Sequence, residues 1–392
     1  MKKFAIVLAV FVLCAMSARA QPVERWNDWF GYNGSDDIFK CVQQTSDNGL
    51  VAVGYGYPGA ADRVILVKYD RRGQVEWSQY YTTNPQRQYE ANWVEQTLDR
   101  GYIIVGSREA ETTGSYIYLL KVDRHGTSQG YLYIMQNGRD NCGYCVKQTP
   151  DNGFIITGYA TPYAYPNDKQ KVVLYKLDAQ GNYEWHHYYG YNTARDYVGY
   201  NLQFTSDGGY VIVGSAQSDL GGQYVYVIKT DGGGIEEWHA FYGPSDRDNC
   251  GYRIEQTAKD GYIFTGYETP FVYPNDGTKA FLRKIDSTGT TEWLAHYGPI
   301  STFDYVGYSF VESHSGGYVV LGSAEMSVGG DNFFLVDTDA SGNELGHSFL
   351  GGTTGNDIGY CIQRTGNGGY LLAGATETYG YPDFDGYLIY AR

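Results

Sequence analysis

Three dipeptides pair a guanidinium with a carboxylate at matching places of an internal repeat: Arg139-Asp140, Arg195-Asp196 and Arg247-Asp248. Arg87-Gln88 and Asp304-Tyr305 hold two further equivalent positions. Aromatic residues accompany them in loops of related sequence, namely Tyr163, Tyr165, Phe271, Tyr273, Tyr379 and Tyr381. An aromatic face stacks on the apolar face of a sugar ring while carboxylates and guanidinium forks bond its hydroxyls, so the set suits a carbohydrate. The same charged side chains can also bridge to one another within or between repeats. For any single Arg-Asp pair that ion-bridging role has the stronger claim.

Other reactive residues point less clearly to chemistry. Cys142-Gly143-Tyr144-Cys145 has redox-motif spacing, but residues three apart on a strand point to opposite faces and cannot easily bond, and no His follows Cys145 as haem attachment requires. Beyond Cys14, the cysteines are Cys41, Cys142, Cys145, Cys250 and Cys361. Cys41 and Cys361 occupy the same place in the first and last repeats, which leaves a disulfide between them open; buried free thiols are the simpler account of the whole set. His186 with His187, His239 and His296 fall in three separate repeats, so no metal site is expected. Asp337-Thr338-Asp339-Ala340-Ser341-Gly342-Asn343-Glu344 partly mimics a calcium loop, yet it aligns with the ordinary turn Lys284-Ile285-Asp286-Ser287-Thr288-Gly289. There is no nucleophile elbow or phosphate loop, and no cofactor is expected.

The elements that must position these residues follow from the repeat. Ser206-Asp207-Gly208-Gly209-Tyr210-Val211-Ile212-Val213-Gly214-Ser215 returns seven times, its second glycine falling at Gly49, Gly101, Gly153, Gly209, Gly261, Gly317 and Gly369. A further glycine follows five residues later in every copy. Each repeat contains four strand-like runs: one before the Asp-Gly-Gly turn, a continuously apolar one after it such as Val211-Ile212-Val213, a third such as Val172-Val173-Leu174-Tyr175, and a fourth such as Tyr183-Glu184-Trp185. Apolar residues on both faces mean a strand buried on both sides. Four-strand units of about fifty residues, repeated, are the blades of a β-propeller. The fold expected is all-β, a seven-bladed β-propeller of four-stranded antiparallel blades.

The last repeat stops after its third strand, and the missing fourth stands at the other end of the chain, where Glu24-Arg25-Trp26-Asn27-Asp28-Trp29-Phe30-Gly31 aligns with Glu292-Trp293-Leu294-Ala295-His296-Tyr297-Gly298. The N-terminal strand should therefore complete the C-terminal blade and close the ring. Loop types alternate between odd and even blades, as in Tyr165-Pro166-Asn167-Asp168 and Tyr273-Pro274-Asn275-Asp276 against Gly221-Gly222 and Gly329-Gly330. A duplicated two-blade unit explains the alternation.

The first residues read as a secretory signal peptide over 1–20: Met1-Lys2-Lys3, an apolar run from Phe4 to Met16 too short for a comfortable membrane span, and Ala18-x-Ala20 before Gln21. A single domain over 21–392, released to the periplasm or outside the cell, is expected. The full chain carries a net charge of −15; removing Lys2, Lys3 and Arg19 from its 29 basic residues leaves 26 against 44 acids, a net −18. That surface disfavours nucleic acid and anionic lipid and favours a soluble monomer.

The combined pattern of Gln-Thr-x-Asp-Gly-Gly-Tyr, apolar strand, Gly, then Lys-x-Asp-x-x-Gly and Trp resembles the tandem repeats of secreted bacterial and archaeal β-propeller proteins. It is more distantly similar to pyrroloquinoline-quinone-type propeller repeats. The resemblance implies binding or scaffolding more than a defined reaction. The function expected is non-catalytic recognition of a carbohydrate or protein partner on the face that carries the variable loops. The alternative is a polysaccharide lyase or glycosidase using Asp140, Asp196, Asp248 and Asp304 around the axial mouth. The tyrosines of the first strands, Tyr144, Tyr200, Tyr252, Tyr308 and Tyr360, are expected to pack between blades.

Overall fold

The computed structural model describes residues 24–31, 36–56, 59, 61–111, 113–134, 139–162, 169–269, 277–299, 302–326, 330–352, 355–379 and 383–391. The signal-peptide reading of residues 1–20 lies outside these, as do Tyr163, Tyr165, Phe271, Tyr273 and Tyr381. The described residues form 28 strands and no helix, arranged as seven four-stranded antiparallel sheets around a common axis. Six blades use four consecutive strands. Blade four is representative, with strands Tyr197–Phe204, Tyr210–Gln217, Gln223–Thr230 and Glu236–Tyr242 running from the axis outward.

Period-two alternation explains how one apolar strand serves two neighbours. Val211, Val213, Val225 and Val227 of blade four pack against Ile254, Phe264 and Phe281 of blade five, whereas Ile212 and Ile228 pack against Val172 and Leu174 of blade three. No blade buries its apolar faces alone: each packs against the blades on either side. Tryptophans of the fourth strands lock adjacent blades at the rim: Trp77, Trp185, Trp238 and Trp293 sit against Gly126, Gly234, Gly289 and Gly342 of the next blade's outer turn. Each of those glycines has a positive φ, which, with the ring beside it, accounts for the recurrence of Gly and Trp together.

The inner hairpin turns are built as the Asp-Gly-Gly pattern requires. The left-handed residue is the one before the marker glycine: Asn48, Asn152, Gly208, Gly316 and Gly368, with Arg100 and Asp260 forced into the same conformation. Asp207 Oδ1 accepts the Gly209 N–H at 3.0 Å. The other carboxylate oxygen of Asp207 lies 2.8 Å from Lys229 Nζ, which also reaches Glu237 at 2.7 Å. Lys176 joins Asp151 and Glu184 in the same way at 2.8 and 2.9 Å, and Lys68 joins Asp47 and Glu76. One ammonium thus ties the inner hairpin of a blade to its third and fourth strands.

The ring closes as the chain ends imply. Glu24–Phe30 pairs antiparallel with Asp385–Ala391, placing Trp26 opposite Tyr390 and Phe30 opposite Gly386. Removing residues 21–31 exposes the edge of Asp385–Ala391, and the expected outcome is a lower melting temperature and concentration-dependent aggregation in light scattering.

The hairpin carboxylates also set the acid limit. The bond from Lys176, then that from Thr149, lowers Asp151 to about 2, and Asp99 and Asp207 reach about 2 because Lys121 and Lys229 outweigh the opposing effect of burial. Their stabilising share is complete above about pH 4, the unfolded value, and is lost as pH falls through 2. Thermal melts from pH 5 to 2 should therefore drop steeply in the wild type and less steeply in Asp151→Asn.

Candidate functional site

Every first strand breaks register at the same place. The ladder skips one residue between Phe39 and Cys41, Ala91 and Trp93, Gly143 and Cys145, Gly199 and Asn201, Gly251 and Arg253, Gly307 and Ser309, and Gly359 and Cys361. The bulged residues are Lys40, Asn92, Tyr144, Tyr200, Tyr252, Tyr308 and Tyr360. A bulge re-aims the extra side chain. The glycine within each second strand, five residues after the marker glycine, makes room for it. A Cβ at Gly214 would lie 1.8 Å from Val198 O, and one at Gly322 would lie 1.6 Å from Val306 O.

The bulged residues encircle the axis. Ring centroids of Tyr144, Tyr200, Tyr252, Tyr308 and Tyr360 follow one another at 4.8, 5.1, 5.0 and 5.2 Å. Lys40 continues the circle, its Nζ 3.5 Å from the centroid of Tyr360, and Asn92 completes it, donating to Gly143 O at 3.0 Å. These seven side chains surround a cavity of about 180 Å³, bordered also by Trp93, Arg253, Ser309 and Cys361. An engineered apolar cavity of about 150 Å³ admits a benzene-sized ring, so there is room here for one six-membered ring. The tyrosines pack blade to blade as expected from sequence, but they remain half-buried because their other side faces this cavity.

Of the residues that follow the bulges, Trp93, Arg253, Ser309 and Cys361 form the floor. Arg253 Cζ lies 5.0 Å from the Trp93 ring, joining blades five and two across the axis, while Arg253 Nη2 meets Glu255 at 3.1 Å. Trp93 Nε1, Arg253 Nε and Ser309 Oγ are buried with no protein hydrogen-bond partner. All three can act as donors. Burial pushes the Tyr308 phenol up to about 12 and raises those of Tyr144, Tyr200, Tyr252 and Tyr360 as well, so all five rings stay neutral. Burial lowers Lys40 to about 8 against the opposing pull of Glu90. Lys40 is therefore mostly a cation at neutral pH.

The dipeptides singled out from sequence lie above this cavity, on the loop-bearing face. Asp196 Oδ1 accepts the N–H of Gln170 in blade three at 2.9 Å, and Asp304 Oδ1 accepts that of Thr278 in blade five at 2.7 Å. Gln88 and Asn356 do the same for Asp62 and Asp331. This position is a latch between blades. Arg195 pairs with Asp219. Arg139 and Arg247 are half-buried, Asp140 and Asp248 are exposed, and Tyr379 is exposed with its ring 5.4 Å from Tyr387. A second cavity of about 300 Å³ is bordered by Asp196, Gln170, Ser215 and Gln223 and shares Tyr200 with the axial one. Asp196 thus borders a cavity that touches the axial ring. Among the described residues, no three His, Cys, Asp or Glu side chains are grouped as a metal ion requires.

Lys40, Asn92, Trp93 and Arg253 are absent from the expectations drawn from sequence. The signal for two of them was present: Lys40 and Asn92 interrupt an otherwise regular tyrosine, an exception the core-packing interpretation left unused.

No family model matches the sequence, and no curated protein is detectably similar to it. Solved structures match across most of the chain at low identity. A protein of unknown function from Dyadobacter fermentans is 12% identical with a TM-score of 0.56, covering 94% of this chain and 98% of its own. The β-propeller domain of the trilobed protease from Pyrococcus furiosus is 9% identical with a TM-score of 0.50, covering 92% and 94%. An ulvan lyase of polysaccharide lyase family 25, bound to -[GlcA(1-4)Rha3S]-, is 9% identical with a TM-score of 0.51, covering 79% and 80%. These likenesses establish the propeller fold.

Two measurements check the site. Gly214→Ala should cost about 2 kcal/mol or more by forcing the first strand of blade four away. Gly366→Ala, where a Cβ meets nothing within 4 Å and no positive φ is required, should be near neutral in the same urea melt. Lys40 should be the lysine most readily acylated in a brief pulse at pH 8, read by peptide mass mapping.

Proposed function

We propose that the protein is a non-catalytic binding propeller that takes an acidic saccharide on its loop-bearing face, seating one uronate ring in the axial cavity. The observation that carries this reading is the combination of a five-tyrosine wall with unpartnered donors below it. Ring faces stack on the apolar face of a sugar, and Lys40, Asn92 and the donors of Trp93, Arg253 and Ser309 suit a carboxylate and its neighbouring hydroxyls. The residues bordering the cavity include two cations and no carboxylate. The net charge, −15 for the full chain and −18 without residues 1–20, opposes an anion at long range, but that field is screened beyond about 8 Å at physiological ionic strength, leaving contacts to decide.

The lyase neighbour's bound glucuronate polymer is in keeping with this ligand class, though at 9% identity it lends only the example of a fold that accommodates one. Binding is favoured over cleavage because Asp196 and Asp304 are engaged in latches, and a glycosidase needs two carboxyl groups flanking the bond. We also take the protein to be exported, with residues 1–20 removed.

Calorimetric titration with oligoglucuronate and with neutral oligoglucose tests the proposal. Oligoglucuronate should bind, and Tyr252→Ala and Lys40→Met should each weaken it at least tenfold. Equal binding of the neutral sugar, or unaltered binding by both variants, overturns it. New unsaturated or reducing ends after incubation would assign cleavage instead.

A further inference from the structure

We propose that Cys41 and Cys361 form a disulfide that bolts the inner edge of the seam where the two ends of the propeller meet. The side chains following the bulges form an inner ring, in blade order Cys41, Trp93, Cys145, Asn201, Arg253, Ser309 and Cys361. Members from neighbouring blades touch: Asn201 Nδ2 lies 3.6 Å from Cys145 Sγ, and Asn201 Oδ1 accepts the N–H of Ile254 at 3.3 Å. Of the seven seams in this ring, only that between blades seven and one brings two cysteines together. Their sulfurs are 3.9 Å apart, in residues 320 positions apart in the chain. A disulfide has its sulfurs about 2 Å apart, so this pair must close by about 2 Å to bond.

The place matters. Blade seven is assembled from both ends of the chain, and Glu24–Phe30 fastens it at the outer edge through pairing with Asp385–Ala391. The cysteines lie at the opposite, axial edge, on Ile38–Gln44 and Asp357–Arg364. A bond there fastens the seam at both edges, and because it closes a loop spanning nearly the whole propeller it restricts the unfolded chain strongly. Environment supports the chemistry. The contact with Cys41 and the Arg253 guanidinium lower the Cys361 thiol below its ordinary value, whereas burial raises that of Cys41. Cys361 also borders the axial cavity, the route by which a small oxidant reaches it.

The oxidant is an external low-molecular-weight disulfide. The Cys361 thiolate attacks one of its sulfurs and displaces one thiolate. Cys41, losing its proton to solvent, then attacks the Cys361 sulfur and displaces the other. Two protein thiols are oxidised, and one external disulfide is reduced to two thiols. This inference is independent of the saccharide reading.

The test treats the reduced, folded chain with hydroxyethyl disulfide and, in parallel, refolds the denatured chain in a glutathione redox buffer. Non-reducing peptide mapping should find Cys41 joined to Cys361, with two fewer titratable thiols. The oxidised protein should melt about 5–10 °C above the reduced one. Cys41→Ser and Cys361→Ser should each abolish the link and the increment, while Cys142→Ser and Cys250→Ser keep both. If a serine variant fails to fold, reduction and reoxidation of the wild type give the same readout. Absence of the 41–361 link by both routes, a link joining other cysteines, or an increment that persists in Cys41→Ser overturns the proposal.

Discussion

The molecule depends on a close approach between two backbones, repeated seven times. Each first strand bulges over a glycine of the second, and the carbonyl before the bulge sits where a side chain would otherwise be: Ile38 O would be 1.6 Å from a Cβ at Gly54, and Cys142 O 1.9 Å from one at Gly158. The bulge turns one side chain of each blade toward the axis. Without it, the first strands would present only the regular alternation of a sheet, and the axis would lack its ring of tyrosines. The glycine spaced five residues after the marker is therefore a feature of the site as much as of the strand.

Around this inner ring, blades are joined by contacts of alternating type. Tyr89, Tyr197 and Tyr305 open the first strands of the even blades, whereas Asn141 opens that of blade three and Asn249 immediately precedes that of blade five. Lys171 and Lys279, at the start of third strands in odd blades, place their ammonium groups 5.1 and 4.7 Å from the Tyr197 and Tyr305 rings of the next blade. In the odd blades the Asn amide takes over: Asn249 Nδ2 donates to Gln223 O at 2.7 Å and to Pro244 O at 2.9 Å. A cation over a ring at one seam and an amide on carbonyls at the next give the two-blade sequence repeat a physical meaning. Charge is thus used mainly at seams and hairpins, and the axial cavity keeps two cations set apart from that bookkeeping.

Much of the fold was legible because its determinants are local. The Asp-Gly-Gly turns, the apolar second strands and the split blade all read directly from short stretches, and Glu24–Phe30 takes its expected place beside Asp385–Ala391. The site was legible only in part. Asp196 borders a cavity, but it does so while holding Gln170, and the same latch occurs at Asp304. The first-strand tyrosines were assigned to packing because a strand residue flanked by apolar neighbours normally packs; the bulge that gives each a second, open side is a feature of register.

The sequence by itself determined the number of blades, their order and the way the ring closes, since each follows from covalent spacing and strand periodicity. Only the tertiary structure decided what meets at the axis. Trp93 and Arg253 are separated by three blades of chain and come within 5.0 Å because seven first strands converge on one line. Convergence is a property of the closed ring, and no single repeat contains it. The same holds for the sulfurs of Cys41 and Cys361, neighbours only because the last blade lies beside the first.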